Sequence, residues 1–345
     1  YRIDYPDTIF DSFREYHLDC ITLLKNPLSG MVGDREVARS QLELAKADPV
    51  APTFIGTMNP ELIVESDRLL IKSGDGQYGL DLQSGALVSL SHCGHEFLAA
   101  SARPTFWRPM TNNDRGYGAD REMAVWRHAG HRITAERSSW KDVDGTLEVE
   151  FALSSPEIGS IGSLIYRFFQ DGSCAVEMDF KFGRQHLPKL PRIGLRIPMV
   201  KTLNLVDWFG TGPHENYQDR KRGAWLGHFS SSADDLFHPY LDPQESGGRC
   251  DTRWLSIYDD AGAGIRVSAL ANKEIDFVLY PCSEDDIQLA RHPCELPQRD
   301  YRLLNLDVGQ MGLGGTDSWG ARPLEQYEIS SKSCFHKSFR IQFLR

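Results

Sequence analysis

The sequence contains no apolar run approaching the roughly 18 residues that cross a bilayer as a helix, which excludes a transmembrane helix. It has no CxxC pair and no HExxH run, and its eleven histidines show no metal-ligand spacing, so nothing points to a structural zinc or a metalloprotease centre. A glycine-rich phosphate loop of Walker or Rossmann spacing is also missing. Positive charge is short: 38 Lys and Arg against 48 Asp and Glu leave a net charge of −10. Nucleic acid and anionic membrane surfaces are therefore not expected partners. Seven cysteines in 345 residues are too few for a disulfide scaffold and odd in number, and we read them as reduced thiols, with a cytoplasmic location expected. The first residues, Tyr1-Arg2-Ile3-Asp4, carry neither an initiator Met nor the pattern of a signal peptide. The reading is of a piece of a longer protein.

Helical signals are also scarce. Asp120 to His128, with Gly130 just beyond, and Glu284 to His292 predict two short helices. Neither repeats as a βαβ unit, which argues against a Rossmann sheet or a (β/α) barrel. What is abundant is strand pattern. Leu147, Val149, Phe151 and Leu153 alternate with Glu148 and Glu150, the period of two of a sheet with one buried face. Val176, Met178, Phe180 and Phe182 alternate in the same way, and the run Leu164 to Gln170 meets them across Asp171-Gly172, a pair that suits the positive φ angles of a tight hairpin. Further strands are predicted around Leu69–Lys72, Gln77–Asp81, Arg192–Met199, Gly264–Ala269 and Leu303–Val308. The fold class is all-β and antiparallel, a large sandwich. Aromatics make up 10% of the chain, which suits either a β core or contact with sugar faces. Pro49, Pro52 and Pro60, with small residues between, read as an extended linker and divide the chain into 1–48 and 49–345. The shorter part is too small to hold much of a core.

Three segments are more specific than a generic sandwich: Phe106-Trp107-Arg108-Pro109-Met110-Thr111-Asn112-Asn113-Asp114-Arg115-Gly116, Gly212-Pro213-His214-Glu215-Asn216-Tyr217-Gln218-Asp219-Arg220 and Gly312-Leu313-Gly314-Gly315-Thr316-Asp317-Ser318-Trp319. In this order they resemble the C-terminal domain, or small chain, of the glycoside hydrolase family 2 β-galactosidases. Pro243-Gln244-Glu245, Arg249, Arg253, Trp254 and the Trp126–Gly130 run add to the match. The resemblance runs from about Asn59 to the C-terminus. Glu36 to Leu44 resembles the closing strand of the immunoglobulin-like domain that precedes this one in the family; the resemblance gives no place to residues 1–33.

The resemblance implies a galactose-mutarotase-like supersandwich of two broad antiparallel sheets. It also implies a part in hydrolysing terminal β-D-galactosyl bonds, as in lactose, with retention, by two glutamates about 5–5.5 Å apart. In the family those glutamates sit on an upstream barrel, whose pattern does not appear here, so no catalytic residue is assigned to this chain. Trp319 is implied to line the sugar platform, a broad apolar contact for pyranose C–H groups carried on a glycine-rich loop. Asn112, Asn113 and Asp114 are implied to border the mouth of the site on a segment that shifts with ligand; many family members have Asp where this chain has Asn112. His214 and Glu215 are the alternative acid and base of a stand-alone aldose mutarotase or epimerase, against a structural role in which Asp219 and Arg220 pair. A non-catalytic carbohydrate-binding module is a further alternative. Glu245, Asp251 and Arg253 read as satisfied polar groups around turns. Magnesium and sodium are implied for the complete enzyme, with no ligand in this chain. The implied partners are the catalytic barrel portion, the galactoside and, through the complete enzyme, further copies in a homo-oligomer. A chain separated from its barrel is expected to expose apolar surface.

Overall fold

The computed structural model describes residues 11, 14–25, 35–47, 59–270, 274–317 and 320–344. The chain divides into two compact units, Tyr1–Thr53 and Phe54–Arg345. What is described of the first is an antiparallel hairpin of Tyr16–Leu23 and Glu36–Ala45. None of its described residues is buried, and Ile21, Leu23, Val37 and Leu42 stand exposed. A lone hairpin of this kind is marginal in water.

The second unit is an antiparallel supersandwich. One layer is a nine-stranded sheet in the order Trp225–Ser232, Leu205–Gly212, Trp254–Tyr258, Gly264–Ala269, Phe335–Leu344, Cys174–Phe180, Gly159–Phe168, Thr146–Ser155 and Thr134–Val143. Facing it are two five-stranded sheets. The first runs Arg249–Thr252, Ile275–Tyr280, Tyr301–Gln310, Arg192–Val200, Arg103–Thr105; the second runs Glu61–Val64, Arg68–Ser73, Gly76–Asp81, Leu87–His92, His95–Glu96. Bridges Leu87–Ala102 and Leu98–Met199 join these two, so the second layer is split where a single broad sheet was expected.

The strand predicted at Leu147–Leu153 shows how sequence builds this layer. Leu147, Val149, Phe151 and Leu153 are all buried, each such side chain contributing about 1.5–3 kcal/mol by leaving water. On the opposite face Glu148 and Glu177 both pair with Arg167, at 2.7 and 2.6 Å. The hairpin across Asp171-Gly172 forms as expected, but its turn differs. The last paired residues are Phe168 and Cys174. Only Gly172 takes a positive φ, of 83°, while the Asp171 carboxylate instead accepts from the Ser173 backbone N–H and hydroxyl.

The helical reading needs three corrections. The segment expected as one helix over Asp120–His128 is two, α2 (Ala119–Glu122) and α3 (Val125–Ala129). Between them the hydrogen bonds tighten to a three-residue step, from Trp126 to Met123 and from Arg127 to Ala124, which turns Met123, Trp126 and Ala129 together into the core. The segment of Asn112, Asn113 and Asp114, expected to border the site mouth and for which no helix was predicted, is itself a helical turn, α1 (Asn112–Tyr117). The predicted helix at Glu284 ends sooner, at α4 (Glu284–Leu289). Phe106, Trp107 and Trp126 are core residues. All seven cysteines are free thiols. Among the described residues no helix is long and apolar enough to cross a membrane.

Candidate functional site

The three sequence motifs, far apart in the chain, meet around the loop Gly312–Gly315. Arg108 follows the short strand Arg103–Thr105 and is wholly buried. Its guanidinium donates to the Met311 carbonyl at 3.0 Å, to the Gly312 carbonyl at 3.2 Å and to both Asp114 oxygens at 3.2 and 3.0 Å. Burial works against the charge, but the Asp114 carboxylate together with Glu245 and Tyr117 outweighs it and holds Arg108 above the ordinary guanidinium range. The same carboxylate begins α1. Asp114 accepts from the Thr111 backbone N–H at 3.0 Å, and the Thr111 hydroxyl accepts from the Asp114 N–H at 3.1 Å. This reciprocal capping box satisfies two otherwise orphaned donors. Gly118, at φ 81°, closes the turn.

The rest of α1 grips the loop and its surroundings. Asn113 donates from its amide to the Leu313 carbonyl at 3.1 Å. The Asn112 backbone N–H donates to Gln244 at 3.1 Å, and Arg115 reaches Asp242 and the Pro243 carbonyl, which docks the Pro243-Gln244-Glu245 segment on the same helix. Asp219, from the second motif, accepts from the Gly314 N–H at 2.9 Å. A Cβ on Gly312 would lie 2.6 Å from the Asp219 carboxylate and 2.9 Å from Tyr327, so only glycine fits there without a shift. Beyond the loop, a Cβ on Gly320 would meet the Gly116 carbonyl at 2.8 Å, and Arg322 pairs with Glu122 at 2.6 Å. Both flanks of the Ser318-Trp319 dipeptide thus rest on the α1–α2 segment. Trp319 itself lies outside the described residues.

The structure separates the sequence-predicted residues by role. Asp114 is fully buried and committed to Arg108 and Thr111, whereas Asn112 is exposed and Asn113 half-buried. Glu215 accepts from Arg220 at 2.5 Å, from the Gly247 N–H at 2.7 Å and from the Tyr240 hydroxyl. His214 stands edge-on to the Trp225 ring. Both residues border surface cavities of about 610 and 300 Å³, but the Glu215 carboxylate already holds three donors. The expected pair of Asp219 with Arg220 does not form: Arg220 goes to Glu215 and Asp219 to Gly314.

Glu245 is more than a turn residue. It is buried between the Tyr217 hydroxyl at 3.1 Å, the Tyr280 hydroxyl and Arg192 at 3.4 Å. Arg192 also faces Asp307 at 3.1 Å, whose carboxyl burial pushes up to about 7 although Arg192 pulls the other way. Asp251 pairs with Lys221 at 2.7 Å, and Arg253 donates to the Asp251 carbonyl. Sequence reasoning did not single out Arg108 or Asp219 as loop supports. The signal that was available is Thr111-x-x-Asp114, a capping-box spacing. A further cavity of about 360 Å³, lined by Trp107, Tyr301, Arg196 and Glu284 among others, lies apart from this loop.

For a hard cation such as Mg²⁺ or Na⁺, the fitting donors are several oxygens. The group of three close metal-binding side chains among the described residues is Asp75, His92 and Cys93. Its nitrogen and sulfur donors do not fit either ion.

Comparison with known proteins agrees with the motifs. A β-galactosidase of Streptococcus thermophilus is 30% identical over 329 residues, covering 95% of this chain and 31% of that protein. One of Priestia megaterium is 31% identical over 315 residues, with 89% and 29% covered. Among solved structures, a galactose 1-epimerase of Lactobacillus acidophilus is 8% identical with a TM-score of 0.47, covering 83% of this chain and 99% of that one. The chain spans about a third of the length of these curated relatives. Residues 72–341 match the family model of the β-galactosidase small chain, and the chain belongs to that family.

Proposed function

We propose that this chain is the part of a β-galactosidase that completes the active site, in an enzyme hydrolysing terminal β-D-galactosyl bonds such as that of lactose with retention. The two glutamates of that chemistry belong to a barrel portion outside these residues. The observation that carries the reading is the convergence of all three motifs on Gly312–Gly315, the loop that leads directly into Trp319. In this reading Trp319 supplies an apolar platform for the sugar. Asn112 and Asn113 face the ligand from α1. Asp114 acts as a positioning residue, holding α1 and, through Arg108, the backbone of the loop.

The reading extends to partners and place. Glu36 to Leu44 is taken as the closing strand of a preceding immunoglobulin-like domain, and the complete enzyme as a cytoplasmic homo-oligomer that supplies its own Mg²⁺ and Na⁺ sites. The stand-alone epimerase reading is disfavoured by the Glu215 carboxylate, whose three donors leave it poorly placed to exchange a proton with a sugar. The test is direct. The chain alone is expected to be silent on lactose and on galactose mutarotation, and to restore galactoside cleavage when combined with the barrel portion. Mutarotation by the chain alone, lost in His214→Ala, would give the epimerase reading instead.

A further inference from the structure

We infer that Asp75, His92 and Cys93 form a site for a divalent transition metal, fitted to Zn²⁺, at the ends of two neighbouring hairpins. Asp75 lies in the turn between strands Arg68–Ser73 and Gly76–Asp81, and Cys93-Gly94 is the two-residue turn between Leu87–His92 and His95–Glu96. The turns lie side by side because Gly76 pairs directly with His92, and the Cys93 N–H donates to the Asp75 carbonyl. Cys93 and Gly94 take φ of 50° and 81°, the positive pair of a primed hairpin turn.

The His92–Cys93 donor spacing is close to that around a bound ion, with the Asp75 carboxylate next to it. One ligand atom from each of the three side chains lies within 4.8 Å of the others. The Cys93 sulfur and His92 Nε2 are 3.8 Å apart; tetrahedral zinc with ordinary Zn–S and Zn–N bonds sets that separation at about 3.6 Å. The His92 ring is already oriented by stacking on Phe343, with centroids 4.8 Å apart and planes at 12°. Asp75 and Cys93 are exposed, so their final approach needs only side-chain rotation. Thiolate, imidazole and carboxylate together favour Zn²⁺ over Mg²⁺ or Ca²⁺. Three protein ligands leave the fourth position to water. The sequence carries no metal spacing because Asp75 comes from a different hairpin than His92 and Cys93. The bound ion would tie the two turns together.

The test uses the full polypeptide under reducing conditions, titrated with Co²⁺ and then Zn²⁺. One equivalent of Co²⁺ is expected to produce a thiolate-to-cobalt charge-transfer band with the visible bands of a tetrahedral site, both removed by Zn²⁺. Cys93→Ser should abolish the charge-transfer band and Asp75→Asn should weaken binding at least tenfold. Cys20, Cys294 and Cys334 are also accessible to some degree, so the Cys93→Ser comparison assigns the band. No saturable one-equivalent binding in the wild type, or binding unchanged in either variant, would overturn the proposal. The readout is spectroscopic, so its failure is distinct from failure of the galactosidase reading.

Discussion

Arg108 and Asp114 form a fully buried ion pair, 3.0 Å between nitrogen and oxygen, that links a capped helical turn to the backbone carbonyls of a glycine-rich loop. A pair of this kind gains little over an apolar replacement of both partners, but removing one partner strands a buried charge. Asp114→Asn is therefore expected to destabilise the protein by about 3–5 kcal/mol, measured by denaturant unfolding. The same variant should lower kcat/KM for lactose in the complete enzyme at temperatures where it remains folded. A stability within about 0.5 kcal/mol of wild type would remove the pair from its positioning role.

Asp307 makes stability depend on pH in a definite sense. Its folded carboxyl sits at about 7, while an unfolded aspartate titrates near 4. Between those values the folded chain holds the extra proton. Its contribution is fully present below about 4 and is lost as pH rises through 7. Asp307→Asn should flatten the fall in Tm across this window relative to wild type. Parallel Tm profiles of the two proteins from pH 4.5 to 7.5 would contradict this.

His214 and Glu215 separate the enzymatic readings. His214→Ala is expected to change kcat on lactose less than threefold, because the residue lies outside the frame around Gly312–Gly315. Glu215→Gln should lower stability by about 1 kcal/mol, the cost of leaving partly buried donors without a charged acceptor, with kcat again little changed. A loss of kcat of a hundredfold or more in His214→Ala at unchanged Tm would restore a catalytic role.

Much of the sheet structure was legible because burial on one face imposes a period of two, as at Leu147–Leu153, where Leu147, Val149, Phe151 and Leu153 are all inward. The α1 turn was not. Asn112, Asn113 and Gly116 are weak helix formers, and what holds the turn is a buried arginine. Spacing also misled at Asp219 and Arg220: neighbours in sequence, they serve different partners, and the Asp219–Gly314 bond spans 95 residues. The motif segments do come together in the fold, at Gly312–Gly315. Which side chain faces ligand and which holds the frame depends on long-range contacts that periodicity does not encode.

The central claim, that this chain completes a galactoside site through the loop ending at Trp319, is tested most directly by steady-state kinetics of Trp319→Ala in the complete enzyme on lactose. At least a tenfold loss in kcat/KM is expected, carried mainly by KM, with Tm unchanged. Wild-type kcat/KM and KM in a folded variant would contradict it.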